Sequence, residues 1–113
     1  MKPSILSALA VYAAACSFAP PACAQQPGAG RALAAACFTC HGTAGNSVGG
    51  VPPSLAGRAS AELFQTMKDF QSGKRPATIM HQQAKGYSDT QLQSIAAYFA
   101  SVKPSPAVPS AKP

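Results

Sequence analysis

The sequence predicts an all-α fold, and three observations carry the prediction. Apolar residues recur at helical spacing in a first segment near 29–40, in a second over 60–72 and in a third from Ser88 to Val102. No stretch alternates with period two for long enough to make a strand. Glycine and proline gather between the periodic segments, above all in 42–57.

The first helix is expected over about 29–40. Leu33, Ala34 and Cys37 share a face there, and the small residues Ala29, Gly30, Ala32 and Ala36 leave room for a second helix. From Gly42 to Gly57 a loop is expected, broken by Gly45, Gly49, Gly50 and Pro52-Pro53. The second helix should cover 60–72, with Ser60 at the N-cap, Glu62 in the first turn and Leu63, Phe64, Met67 and Phe70 as its apolar stripe. Gly73 should stop it, and a short helix should follow Pro76 as far as Ala84. The last helix is the best specified. Ser88-Asp89-Thr90-Gln91 is a capping box, and Leu92, Ile95, Ala96, Phe99 and Val102 form its buried face with Tyr98 beside it.

The chain of 113 residues divides into an export signal at 1–24, one folded domain at 25–103 and a Pro-rich tail at 104–113 expected to be disordered. Lys2, the apolar stretch Ile5–Ala15 and the small-residue site Ala22-Cys23-Ala24 make the signal, so the expected location is the periplasm. The apolar run is too short to span a bilayer well. A lipid on Cys16 is the weaker alternative, since the usual bulky aliphatic is missing before it. Without 1–24 the chain has eight basic side chains against Glu62, Asp69 and Asp89, a net charge of about +5. That charge suits an acidic partner surface or simple solubility. Scattered basic residues without a Lys/Arg run argue against nucleic acid.

The chemistry is concentrated in Cys37-Phe38-Thr39-Cys40-His41. A Cys-x-x-Cys-His run near a helix end reads as covalent attachment of a c-type haem. Two thiols on adjacent turns reach the two vinyl groups of one porphyrin, and His41 lies under the ring as proximal iron ligand. Its second nitrogen should donate to a backbone carbonyl, which Pro52 or Pro53 could supply from a rigid turn. A redox-active dithiol would need a preceding strand, and a zinc site would need more ligands than the remaining His81 provides. With no internal repeat, one haem c per chain is expected. The opposite face of the iron has three candidates. Met80 is favoured; Met67 has the setting of an ordinary core methionine; His81 would give bis-histidine iron at lower potential. An open position would admit oxygen, peroxide or nitric oxide.

With these motifs the chain resembles the class I cytochromes c over roughly 30–102. Within them it is similar to the small bacterial periplasmic group that includes the haem subunit of flavocytochrome c sulfide dehydrogenase. The resemblance lies in Cys-Phe-Thr-Cys-His-Gly at 37–42, Gly-Asn-Ser at 45–47, Pro-Ser-Leu-Ala-Gly at 53–57, Phe-Gln-Ser-Gly-Lys-Arg-Pro at 70–76, Ile-Met at 79–80, Lys-Gly-Tyr-Ser-Asp at 85–89 and Ile-Ala-Ala-Tyr-Phe at 95–99. It implies three to five helices around one haem, thioethers at Cys37 and Cys40, axial ligands His41 and Met80, and the Pro53 carbonyl on His41. It also sets Leu33 against Tyr98 at the crossing of first and last helices, with Ala29 where the family carries glycine. The implied role is electron transfer rather than catalysis, as a mobile carrier or as a subunit of a flavoprotein or sulfur-oxidising dehydrogenase. Partners would be redox proteins such as a flavoprotein or a terminal oxidase, with Lys68, Lys74, Arg75 and Lys85 as candidate steering charges.

Overall fold

The computed structural model describes residues 28–106, so the expected export signal, with Cys16 and Cys23, and the tail from 107 onward lie outside the described residues. Among the described residues the chain forms five α-helices and two 3-10 turns, with no strand. Helix α1 (Ala29–Ala34) passes through the 3-10 turn Ala35–Cys37 into α2 (Phe38–His41). The expected first helix is therefore one helical path tightened in its middle. A second 3-10 turn, Thr43–Gly45, precedes the loop to α3 (Ser60–Ser72), which α4 (Met80–Lys85) and α5 (Asp89–Ser101) follow. None of these helices is long and apolar enough to cross a membrane.

Helix α1 packs against α5, and α3 packs on both α4 and α5. The core sits where these meet. Ala34, Leu63, Ile95, Ala96 and Phe99 are buried together, with Leu33, Leu55, Phe64, Tyr87 and Tyr98 packed around them. Phe38 adds an aromatic cluster, its ring centroid 6.1 Å from Tyr98 and 6.2 Å from Phe99. The periodicity of α5 thus delivers the face its spacing implies: Leu92, Ile95, Ala96 and Phe99 are buried, and Tyr98 flanks them half-buried.

The α1–α5 crossing depends on one glycine. A Cβ on Gly30 would lie 2.4 Å from the Ser94 carbonyl oxygen and 3.2 Å from the Tyr98 Cβ. The position that must be glycine is therefore Gly30, one residue past the Ala29 to which the resemblance points.

Two helix starts differ from the expectation. The N-cap of α3 is Ala59, and Ser60 is its first helical residue with no side-chain cap. Glu62 still meets the amino end of the dipole and pairs with Arg58, four residues before it. The chain from Pro76 to Ile79 stays irregular, and α4 begins only at Met80. The remaining ends follow their local signals. Gly73 closes α3 in a left-handed conformation, its N–H returning to the Phe70 carbonyl. At α5 the capping box is complete: Ser88 Oγ accepts from the Gln91 N–H at 3.3 Å, and the Ser88 N–H donates to Gln91 Oε1 at 2.9 Å. Beyond α5 the chain turns back, and the Ser105 N–H donates to Asn46 Oδ1 at 2.7 Å.

Gly30→Ala should destabilise the protein by about 1–3 kcal/mol, because the added methyl meets backbone rather than a yielding side chain. Ser88→Ala should cost about 1 kcal/mol through loss of the cap. Both are read as shifts in the denaturant midpoint.

Candidate functional site

The end of the first helical path presents three reactive groups in succession. Cys37 closes the 3-10 turn, and Cys40 and His41 belong to α2. Residues three apart on a helix lie one turn apart on the same side, so both thiols address one region. Both are free, Cys37 half-buried and Cys40 exposed. Burial pushes the Cys37 thiol above its ordinary range, and the neighbouring Cys40 sulfur adds to the effect. The Tyr87 phenol is raised likewise, first by burial and then by the nearby Cys37 sulfur. Tyr87 and Cys37 both pack against the same buried core cluster, a proximity that helical spacing alone does not reveal.

His41 is buried, 7% exposed. Its Nδ1–H donates to the Pro53 carbonyl at 2.7 Å. A carbonyl can only accept, so Nδ1 carries the hydrogen and Nε2 of the neutral ring keeps its lone pair. Among the described residues no buried side-chain nitrogen or oxygen lacks a partner, so Nε2 is not sealed inside protein. Of the two prolines that could supply this carbonyl, Pro53 does so.

The loop that carries Pro53 is itself held. The Gly45 carbonyl accepts from the N–H groups of Leu55 at 2.8 Å and Ala56 at 3.1 Å. Ser54 Oγ accepts from the Ser47 N–H at 2.9 Å, and the Gly57 N–H donates to the Phe99 carbonyl at 2.9 Å. Gly45 is buried with φ +78°, and a Cβ there would lie 2.7 Å from the Phe99 ring. In the sequence Gly45 is one loop glycine among several; its packing against α5 is a tertiary fact without a local signal.

The distal candidates fall on different elements. Met80 is the half-buried first residue of α4, on the same face as the fully buried Ala84 one turn later. His81 and Lys85, also one turn apart, line an open cleft of about 330 Å³ with Phe70, Gln71, Arg75 and Pro76. The face of α4 that holds His81 is thus not the face that holds Met80. Met67 lies half-buried on α3.

The four expected steering charges divide into two kinds. Lys68 is paired with Asp89 at 2.6 Å and Lys74 with Asp69 at 3.7 Å. Arg75 and Lys85 have no carboxylate partner among the described residues. Arg75 instead lies over the Phe70 ring, 5.5 Å from its centroid.

The donor set fits a covalently bound haem. Two free thiols on one side of a helix end are followed by a buried imidazole, tautomer fixed and Nε2 available. Among the described residues no three His, Cys, Asp or Glu side chains gather to hold a bare metal ion, and no strand precedes the cysteines. An all-α chain with this site is a c-type cytochrome of class I.

Comparison with known proteins agrees. The family model described as cytochrome C oxidase, cbb3-type, subunit III matches residues 25–99, and the chain belongs to this cytochrome c family. It is 40% identical over 70 residues to the cytochrome subunit of sulfide dehydrogenase of Chlorobaculum tepidum, covering 62% of this chain and 63% of that protein. It is 45% identical over 75 residues to cytochrome c4 of Pseudomonas aeruginosa, covering 66% of this chain but 37% of the relative. Against cytochrome c-554(548) of Halomonas halodenitrificans the identity is 34% over 76 residues, covering 65% of this chain and 92% of the relative. The chain thus spans under two thirds of the first two relatives and nearly all of the third. Family membership implies electron transfer by covalently bound haem c.

Gly45→Ala should lower stability by about 2–4 kcal/mol, from left-handed backbone strain plus overpacking against Phe99. The denaturation midpoint of the haem-loaded protein measures this, and a wild-type midpoint would show that the turn yields freely.

Proposed function

We propose that this chain is a periplasmic one-electron carrier holding a single haem c through Cys37 and Cys40, with His41 and Met80 as axial ligands. The observation that carries the reading is the His41–Pro53 hydrogen bond at 2.7 Å, directly after two free thiols. When bound, the haem supplies an Fe(III)/Fe(II) couple. Cys37 and Cys40 would hold it through thioethers formed with its vinyl groups, which would secure the cofactor in an exported protein. Pro53 orients the proximal imidazole and raises its basicity through the Nδ1–H bond. The Met80 thioether favours the reduced iron more than a second imidazole would, which raises the potential. Met80 shares a helix face with the fully buried Ala84, whereas His81 lines the open cleft with Lys85, and this supports Met80 over His81. The apolar stripe of α3 excludes water. The export-signal pattern at 1–24 supports the periplasm.

Partner approach falls to the unpaired cations. Arg75 and Lys85 lie along one cleft close in sequence to Met80, and they steer an acidic redox partner, whether a flavoprotein or a terminal oxidase. A second reading, as the electron-transfer subunit of a flavoprotein sulfide dehydrogenase, has two supports. One is the 40% identity to such a subunit. The other is the exposure of the apolar side chains Val48 (74%), Val51 (86%) and Ile79 (55%), which a bound partner would cover.

The weak near-infrared band of the oxidised haem protein should vanish in Met80→Ala and persist in Met67→Ala and His81→Ala. Persistence of the band in Met80→Ala would overturn the ligand assignment. Electron exchange with an acidic partner at low salt should slow by about tenfold or more in the double variant Arg75→Glu, Lys85→Glu. The difference should shrink at ~0.15 M salt and above, where screening acts within about 8 Å. Sedimentation of protein isolated from its native host separates free carrier from complexed subunit.

A further inference from the structure

We propose that Gln71 is the positioning residue for Met80, acting by clamping α4 onto α3. The inference rests on the reading of Met80 as an iron ligand. Helix α4 has six residues. A helix this short does not hold together unaided, and its last carbonyls have no partners within it. Its amino end has no side-chain cap, and Ile79 before it is exposed. The restraint comes from the other end. Gln71 Nε2 donates to the Ala84 carbonyl at 2.9 Å and to the Tyr87 carbonyl at 3.0 Å. One amide group thus spends both hydrogens on carbonyls 13 and 16 residues away in sequence. One carbonyl belongs to the last turn of α4 and the other to the link into α5. Ala84 is fully buried between these bonds, and Met80 lies one turn before it on the same face. Releasing the amide leaves the local turn bonds from the Gly86 and Tyr87 N–H groups in place, but removes the two hydrogen bonds that tie the carboxyl end of α4 and its link to α3, and so loosens the register of Met80.

Gln65 is the internal control. It sits on the same helix, and its Nε2 donates to Asp69 Oδ1 at 2.9 Å within α3 rather than to a carbonyl of α4.

The test uses the haem-loaded protein. In the oxidised form, added imidazole binds iron only when the native distal ligand leaves. Gln71→Leu should bind imidazole about tenfold more tightly than wild type or beyond, as loss of two hydrogen bonds implies, while Gln65→Leu should match wild type. Amide hydrogen exchange should quicken by a similar factor in α4 and stay unchanged in α1 and α5. Wild-type imidazole affinity together with wild-type α4 exchange in Gln71→Leu would overturn the proposal. So would uniform quickening across all three helices, which marks a general stabiliser. Should Gln71→Leu fail to mature, the wild-type protein still decides. The side-chain amide hydrogens of Gln71 should exchange well below the rate of those of the exposed Gln82 and Gln83, and equal rates would refute the clamp. Survival of the near-infrared band in Met80→Ala would defeat the ligand reading itself, a result separate from the exchange data on α4.

Discussion

The hydrogen bond from His41 to the Pro53 carbonyl is the constraint around which the rest is arranged. It joins the end of the first helical path to a loop twelve residues away. That loop has no regular structure of its own, so its position comes from elsewhere. The Gly45 carbonyl fixes Leu55 and Ala56, the Gly57 N–H reaches Phe99, and Gly45 lies against the Phe99 ring. Phe99 is in turn buried in the core with Ala34 of α1. The imidazole is therefore referenced through its carbonyl to α5, and α5 is referenced to α1 by the contact at Gly30. As the proposed proximal ligand, an imidazole held from both sides in this way would have little freedom to reorganise when the charge on its metal changes.

The interior explains why such bracing is needed. Among the described residues the fully buried large side chains are Phe99 and Leu92, and alanines make up much of the remaining core. A domain this small buries a modest fraction of its surface and has little apolar packing to spare. The stripe of α3 shows the same thing, with Leu63 buried but Phe64, Met67 and Phe70 only half-buried. A large flat apolar cofactor against those half-buried side chains suits this composition. Covalent attachment then makes the cofactor part of the core.

What could be read from the sequence was what local chemistry encodes. The capping box at Ser88 and Gln91 is a reciprocal bond between residues three apart, so the four-residue string suffices to place the start of α5. Gly73 as the stop of α3 is of the same kind, as is the Cys37–His41 run, whose spacing alone states its chemistry. The burial of Leu92, Ile95 and Phe99 followed from period. Apart from the one-residue shift at Ser60, the details that local pattern did not place are settled by distant contacts. Gly30 rather than Ala29 is the crossing residue because Ser94 and Tyr98 lie there. Ser60 resembles an N-cap, but the helix begins one residue earlier in register. The pairing of Lys68 with Asp89 joins residues 21 apart, and no local pattern announces it. Gln71 carries no local signal of its bonds to α4, since its partners appear only once α4 has folded onto α3.

The charge pattern completes the argument. Each carboxylate among the described residues is engaged by a cation: Glu62 by Arg58, Asp69 by Lys74 and Asp89 by Lys68. These exposed pairs add little to stability. Their consequence is that they cancel charge on Arg58, Lys68 and Lys74 and leave the surplus at other positions. Arg75 and Lys85 keep theirs, and both border the cleft beside the segment that leads to Met80. Residues 70–85 thus bring the Gln71 amide, the Met80 thioether and two uncompensated cations into one stretch. On the proposed reading, a partner drawn by those cations would meet the element that carries the distal ligand, so recognition and the tuning of the iron would share a single piece of structure.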